Sequence, residues 1–302
     1  MSSSSSIKRI LERMRGNARR ASILFSGRKS RGVANRGPLP PGQRPQDILA
    51  VLLLTVGIAV VAFDAPTYPW LNSLPSEYRL GFRAFTDLGK ADWILLSSGL
   101  ICLALLAQDA SQYAFRIRMA ISSVFTYTAF IFYVVVASGV IVLALKWTLG
   151  RARPKLYEQV GPVHFDFLAF HGTYTSFPSG HSTTVAALAT SLYFIFPSYR
   201  WLIVVTAFWL AFSRVMAGAH YPSDVIAGTL LGITFTFFTV RALARRRIGF
   251  HFTEAGKILP NINSLSAKAC LRASWQALRG QRGTDRVMPD AAPFDDTERS
   301  GS

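Results

Sequence analysis

Six apolar stretches recur along the middle of the chain, and short polar connectors separate them. Their approximate limits are 47–63, 92–108, 119–145, 181–196, 201–219 and 224–241. A helix needs about 20 predominantly apolar residues to cross a bilayer, and these stretches reach or approach that length. The pattern therefore predicts an all-α fold, a polytopic membrane helix bundle with six transmembrane helices.

The region between the first two apolar stretches has a different pattern. Within 65–91, the aromatic residues Tyr78, Phe82 and Phe85 are interleaved with Arg79 and Arg83. Such an amphipathic segment suits the boundary between lipid headgroups and acyl chains. We therefore expect a short surface helix between the first two spans, lying along the membrane.

The overall composition argues against a soluble protein. Half of the residues are hydrophobic and only 16% are charged, whereas soluble domains carry about 25% charged residues. Cys102 lies in an apolar stretch and Cys270 in a basic one, so the cysteines indicate neither a disulfide framework nor a metal site. No metal and no cofactor are expected.

The formal net charge of +17 is concentrated at the two ends of the chain, before residue 48 and after Arg241. This distribution favours tails beside an anionic leaflet over a nucleic-acid partner. The predicted organisation is a basic cytoplasmic tail over 1–47, disordered or forming an interfacial helix, and a six-span domain over 48–241. A basic-to-acidic cytoplasmic tail, mostly disordered, is expected over 242–302.

The bias of lysine and arginine also predicts the orientation in the membrane. With six spans, both basic tails lie in the cytoplasm, and the connector that carries Arg116 and Arg118 agrees. The connector after the third span must lie outside, yet it is basic too; its cations are Lys146, Arg151, Arg153 and Lys155. We interpret these charges as kept for function. We expect an integral protein of a bacterial inner membrane, with an active site that faces the periplasm.

Three polar clusters interrupt the apolar core, each at the end of a predicted span. The first covers 146–154, with the sequence KWTLGRARP, and the second covers 178–181, with the sequence PSGH. The third contains Ser213 and Arg214, followed by His220 and Asp224. Counting spans places all three clusters at the same face of the membrane, so we expect them to form one site.

The cations of these clusters predict a site for phosphate. Lys146, Arg153 and Arg214 have few acidic neighbours in the sequence, and a guanidinium offers a donor fork that matches phosphate oxygens. Ser179 can cap the helix of the fourth span and Gly180 permits close approach, so that free backbone N–H groups point at the anion. Snorkelling explains any one of these cations, but poorly explains three beside two histidines.

The two histidines suggest covalent catalysis. Asp224 follows His220 by four residues, so it can hold one imidazole nitrogen and leave the other free to attack phosphorus. His181 is then the candidate acid for the leaving group and the base for water. No role is assigned to the remaining histidines, His164, His171 and His251.

Together the clusters resemble the signature of the type 2 phosphatidic acid phosphatase superfamily: Lys-x6-Arg-Pro, Pro-Ser-Gly-His and Ser-Arg-x5-His-x3-Asp. The resemblance covers roughly 48–241. It implies metal-independent hydrolysis of lipid phosphates through a phosphohistidine, with His220 as nucleophile, Asp224 as its orienting partner and His181 as the acid. The residues that it implies for holding the phosphate are Lys146, Arg153, Ser179, Gly180 and Arg214.

The residues leave several alternatives open. A lipid phosphotransferase would share the first half of the reaction, and a transporter could use the charged cluster as an ion path. The transporter is disfavoured because the charges lie at one face of the membrane and the sequence shows no internal repeat. Soluble haloperoxidases share similar motifs but lack six spans. The expected partners are the bilayer and a lipid phosphate: phosphatidylglycerol phosphate, phosphatidic acid, undecaprenyl diphosphate or lipid A. Oligomeric state is left open.

Overall fold

A computed structural model describes residues 3–28, 41–109, 113 and 115–261, together with the isolated residues 272, 275 and 279. Most of these residues are helical. The helices are α1 (Ser3–Gly27), α2 (Pro45–Ala59), α3 (Ala65–Ser73), α4 (Ser76–Thr86), α5 (Ala91–Ala107), α6 (Phe115–Leu149), α7 (Tyr157–Val160), α8 (Gly180–Ile195), α9 (Arg200–Met216) and α10 (Pro222–Arg245). Two strands follow, β1 (Phe250–Phe252) and β2 (Ile258–Pro260), and pair as an antiparallel hairpin.

Five helical stretches in the described part of the chain are long and apolar enough to cross a membrane. They are Pro45–Ser73, Ser76–Ala107, Ile117–Leu149, Pro197–Met216 and Pro222–Arg245. The predicted fourth span falls on α8, which has only 16 residues and so covers about 24 Å at the helical rise. The chain is an integral membrane protein made mostly of helices, while the count of six spans stays a prediction.

The first span is longer than its apolar stretch indicated. A π-helical segment, Val60–Asp64, joins α2 to α3, so that the helix continues to Ser73. The predicted surface helix over 65–91 is therefore reduced to α4, and Phe82 on α4 packs against a cluster on α3 and α9 that includes Leu71 and Val215. That α4 lies along the membrane surface stays a prediction.

The hairpin is a feature that the all-α prediction misses. Phe250 on β1 is completely buried and makes edge-to-face contacts with Tyr127 and Phe130 on α6, at 5.4 Å in each case. Ile258 on β2 joins the same core. Burial of these apolar side chains holds the hairpin to the bundle. The predicted disorder beyond the hairpin concerns residues that lie almost entirely outside the described part.

Helices α8 and α10 pack closely through two glycines. A Cβ added at Gly228 would lie 2.3 Å from the carbonyl oxygen of Ser179, and one at Gly232 would lie 2.5 Å from that of Thr183. Small residues at this spacing allow membrane helices to approach until their backbones touch. The contact holds the start of α8 beside the start of α10.

Replacing Gly228 by alanine is expected to lower the melting temperature of the purified protein in detergent by several degrees. The new methyl group would collide with backbone, so α8 would have to move away from α10. Gly139→Ala on α6 is the matched control, since nothing lies within 4 Å of a Cβ there and alanine is favoured over glycine in a helix by about 1 kcal/mol. Equal melting temperatures for the two variants would contradict the close packing.

Candidate active site

The first element of the site is the turn that ends α6. Gly150 has a φ of 59°, and a Cβ there would lie 1.6 Å from the carbonyl oxygen of Asp166. Only glycine fits this position. The N–H of Asp166 donates to the carbonyl oxygen of Gly150 at 2.8 Å, so the loop folds back over the turn. This turn places Arg151 and Arg153 next to the C-terminal end of α6.

Two of the predicted phosphate-binding cations meet at Thr175 in this loop. Lys146 donates from Nζ to the carbonyl oxygen of Thr175 at 2.5 Å. Arg153 donates from Nη2 to the Thr175 hydroxyl at 3.1 Å and from Nε to the carbonyl oxygen of Gly172 at 3.0 Å. Neither cation forms a salt bridge with a carboxylate within the described residues. Their remaining donors are available for an anion.

Arg214 joins these cations from the end of α9. It donates from Nη1 to the Thr86 hydroxyl at 3.4 Å, and its buried Nε has no hydrogen-bond partner. The charges of Arg153 and Arg214 both act on Lys146, so the three cations lie within electrostatic range of one another. Such mutual repulsion is relieved when an anion such as phosphate binds among them.

The start of α8 provides backbone donors next to these cations. Ser179 is the buried N-cap, and its hydroxyl oxygen accepts from the N–H of Ser182 at 3.4 Å. A Cβ on Gly180 would lie 3.8 Å from Cε of Lys146, so the first turn of α8 lies beside the Lys146 side chain. Free N–H groups at a helix start favour a bound anion.

His220 lies in the connector between α9 and α10 and is 3% exposed. Its Nδ1 is 3.5 Å from Oδ2 of Asp224 and has no closer polar partner. This distance is at the limit of hydrogen bonding, and such contacts commonly shorten when substrate binds. Burial lowers the pKa of His220 to about 4, and the charges of Lys146 and Arg214 act in the same direction. The imidazole is therefore neutral at pH 7, as a nucleophile must be.

Both oxygens of the Asp224 carboxylate accept hydrogen bonds. Oδ1 accepts from Nη1 of Arg151 at 2.6 Å, and Oδ2 accepts from the Ser176 hydroxyl at 2.6 Å and from the N–H of Tyr221 at 2.9 Å. Its backbone oxygen accepts from the N–H of Ser179 at 3.0 Å. Asp224 therefore connects the start of α8, the 150–179 loop and the start of α10 in one arrangement.

His181 is the second residue of α8 and is partly buried. The charges of Arg214 and Lys146 act on its ring as they do on His220. All eight predicted site residues therefore lie in one region, at the end of the bundle where α6 stops and α8 and α10 begin. The described part of the chain contains no group of three or more His, Cys, Asp or Glu side chains placed to hold a metal ion.

Comparison with known proteins bears on this arrangement. Residues 127–248 match the profile of the PAP2 superfamily. The lipid A 1-phosphatase of Rhizobium johnstonii is 35% identical over 216 residues, which cover 72% of this chain and 88% of that protein. The chain belongs to the PAP2 superfamily. The resemblance of the three clusters to this superfamily is thus confirmed.

Further relatives are also named as phosphatases. The lipid A 1-phosphatase of Rhizobium etli is 32% identical over 238 residues, covering 75% of this chain and 99% of that protein. The undecaprenyl-diphosphatase of Sulfolobus acidocaldarius is 31% identical over 178 residues, covering 57% of this chain and 84% of that protein. The chain is accordingly a membrane phosphatase of the PAP2 superfamily.

Two further residues, Arg151 and Asp64, support the site, although the sequence motifs assigned neither a role in it. Arg151 is completely buried and lies between two carboxylates, with Nη1 on Asp224 at 2.6 Å and Nη2 on Asp64 at 2.7 Å. Burial alone disfavours the charged guanidinium, but the two carboxylates outweigh it and raise the pKa of Arg151. Its guanidinium also stacks on the Tyr221 ring, 4.6 Å from the centroid. It is therefore a fixed counter-ion of the site.

Asp64 reaches this network from the first span, outside the segment that matches the PAP2 profile. It ends the π-helical segment, is completely buried and accepts from the N–H of Ser223 at 3.0 Å and the Ser223 hydroxyl at 2.5 Å. π-Helical turns often occur at functional sites. The only sequence signal was an acidic residue directly after an apolar stretch, which is common at span ends. Arg151 was noticed only as one of four basic residues in its connector.

Proposed function

We propose that this PAP2 phosphatase removes the 1-phosphate from lipid A by way of a phosphohistidine on His220. The observation that carries the proposal is a buried His220 beside an Asp224 whose two carboxylate oxygens both accept hydrogen bonds. Three cations without carboxylate partners among the described residues lie next to this pair. The choice of lipid A is supported by the two lipid A 1-phosphatases, since 88% and 99% of their lengths align with this chain.

In the first step, the substrate phosphate occupies the space between Lys146, Arg153, Arg214 and the start of α8. Nε2 of His220 attacks phosphorus, a P–N bond forms, and the bond from phosphorus to the lipid oxygen breaks. The negative charge of the bound phosphate favours the protonated form of His181, and His181 gives this proton to that oxygen, so the dephosphorylated lipid leaves as an alcohol. Asp224 holds the Nδ1 proton and stabilises the positive charge that develops on the ring.

In the second step, water takes the place of the departed lipid. His181, now neutral, accepts a proton from water as the water oxygen attacks phosphorus and the P–N bond breaks. Inorganic phosphate leaves, and both histidines return to their starting states. Charge on the transferred group is stabilised throughout by the three cations and the N–H groups of Gly180 and His181, which is the larger part of catalysis for phosphoryl transfer. No step requires a metal ion or another cofactor.

The proposed setting is a bacterial inner membrane with the site on the periplasmic side. The site lies at one end of the long helices, so a headgroup phosphate can reach it while the acyl chains stay in the bilayer. Helix α10 begins at the site and ends in the basic sequence around Arg245, and the positive-inside rule assigns that end, with the basic N-terminal tail, to the cytoplasm. The proposed partners are therefore the bilayer and its lipid phosphate, and no nucleic acid.

A second candidate substrate is undecaprenyl diphosphate, favoured by the relative from Sulfolobus acidocaldarius, of which 84% aligns. The chemistry at His220 would be the same, with a phosphate group in place of the sugar oxygen as the leaving group. A lipid phosphotransferase is a third possibility on the same site, in which a second lipid replaces water in the second step.

The direct test measures release of inorganic phosphate by the purified protein in detergent at pH 7. The substrates are lipid A, undecaprenyl diphosphate, phosphatidylglycerol phosphate and phosphatidic acid, each with and without excess chelator. We expect chelator-resistant turnover with the highest kcat/KM for lipid A, and product that lacks the 1-phosphate by mass spectrometry. A preference for another lipid would contradict the assignment of lipid A as the substrate, and loss of activity with chelator would contradict the metal-free mechanism. Phosphate found on a second lipid instead of in solution would favour the phosphotransferase.

A further inference from the structure

A cavity of about 1100 Å³ extends to the other end of the bundle from the candidate active site. It is enclosed by α1, α6, α10 and the connection to the hairpin, and most of its wall is apolar. Characteristic wall residues are Phe125, Phe130, Leu231, Phe235, Phe238 and Ala242. Its volume slightly exceeds the range for pockets that hold small organic molecules, about 300–1,000 Å³.

The cavity follows the helices across the bilayer: its lining on α6 extends from Met119 to Ile141, about 33 Å along the helix. Its apolar wall on α10 runs from Leu231 to Ala242, about 17 Å along a helix that rises 1.5 Å per residue. The hydrocarbon core of a bilayer is about 30 Å thick. Residues 246 and 247, which follow α10, therefore lie where lipid headgroups begin.

Three arginines line the cavity at that level. Arg28, at the end of α1, donates from Nη1 to the carbonyl oxygen of Arg247 at 2.7 Å, and the guanidinium of Arg246 lies 4.8 Å from the Phe25 ring centroid. Arg28, Arg246 and Arg247 all line the cavity. No carboxylate of the described residues forms a salt bridge with any of them. The cavity thus combines apolar walls with a positively charged end that has no carboxylate partner among the described residues.

We propose that this cavity binds one anionic phospholipid from the leaflet opposite the active site. Its acyl chains would occupy the apolar space between α6 and α10, and its phosphate would lie among the three arginines. Charge complementarity and depth both favour this occupant, because a partner from water would bring polar groups to hydrocarbon depth at a high free-energy cost. The lipid would join α1 and the hairpin connection to the bundle. The proposal does not depend on the reaction at His220.

The test uses the full-length protein, freed of lipid in detergent, with phosphatidylglycerol and phosphatidylcholine of the same acyl chains. Native mass spectrometry measures the bound lipid, and the melting temperature measures its stabilising effect. We expect one phosphatidylglycerol to remain bound at collision energies that remove phosphatidylcholine, and a larger rise in melting temperature with phosphatidylglycerol. A triple variant, Arg28→Gln, Arg246→Gln and Arg247→Gln, should bind phosphatidylglycerol about 100-fold more weakly, since each basic residue contributes about fivefold.

The matched control removes the same charge from exposed positions on α1, with Arg15→Gln, Arg19→Gln and Arg20→Gln, and should retain binding. A second variant, Ala129→Trp, fills the cavity from α6 while the three arginines remain, and should lose binding without a fall in melting temperature in lipid-free detergent. Equal binding of the two lipids would overturn the proposal. So would equal loss in the two triple variants, or a second protein copy in place of the lipid.

Discussion

Replacing His220 by asparagine is expected to lower the rate of phosphate release by about 10⁴-fold or more, because loss of a covalent nucleophile removes the whole two-step route. Asparagine is the preferred replacement, since His220 is 3% exposed and a similar polar side chain leaves no large cavity. The measurement is kcat for lipid A in detergent, with the melting temperature determined in parallel.

His164→Ala is the matched control for this variant. His164 is exposed and belongs to the loop after α6, where its ring lies near Tyr174, at 5.9 Å between centroids. It should retain the wild-type rate. Turnover by His220→Asn within tenfold of wild type, with an unchanged melting temperature, would eliminate His220 as the nucleophile.

Replacing Arg151 by glutamine is expected to destabilise the protein by about 3–5 kcal/mol and to reduce kcat strongly. The change leaves Asp64 and Asp224 buried without their shared counter-ion, and such uncompensated buried charge carries a cost of that size. Asp64→Asn should be milder, because Arg151 and Asp224 can still form a neutral pair. The measurements are the melting temperature in detergent, kcat and KM.

The double variant, Asp64→Asn with Arg151→Gln, separates this account from a general packing defect. It removes one negative and one positive charge together, so it should be more stable than Arg151→Gln alone, with an interaction free energy of about 1–3 kcal/mol. Neither Asp64 nor Arg151 contacts the phosphate site. The loss of activity should therefore appear as a lower kcat, and KM should stay within a few-fold of the wild-type value. Additive effects of the two substitutions, or a loss confined to KM, would contradict the positioning role.

Much of the site was predictable because its residues occur in short local patterns. The N-cap Ser179, the flexible Gly180 and the pair His220 and Asp224 each depend on neighbours within a few positions. Counting apolar stretches then predicted that the clusters lie at one face of the membrane. The structure has them at one end of the bundle.

The parts that were missed depend on contacts between distant residues. Asp64 and Arg151 are 87 positions apart, and the π-helical segment that ends at Asp64 has no clear sequence signature. The hairpin was missed because Phe250 and Ile258 belong to short apolar runs in a basic region, and their burial depends on contacts with distant helices, among them the aromatic side chains of α6. Pairing across the bundle cannot be read from apolar periodicity alone.

The central claim is that phosphate is transferred to His220, and direct detection of the phosphohistidine tests it. The His181→Ala variant is mixed with an aryl phosphate, whose leaving group needs no proton, so that the first step proceeds while the second lacks its base. After an alkaline quench, mass spectrometry of peptides should find phosphate on His220, and none when His220→Asn is added to the variant. Phosphate on another residue, or release of phosphate by the double variant at the rate of His181→Ala, would contradict the account.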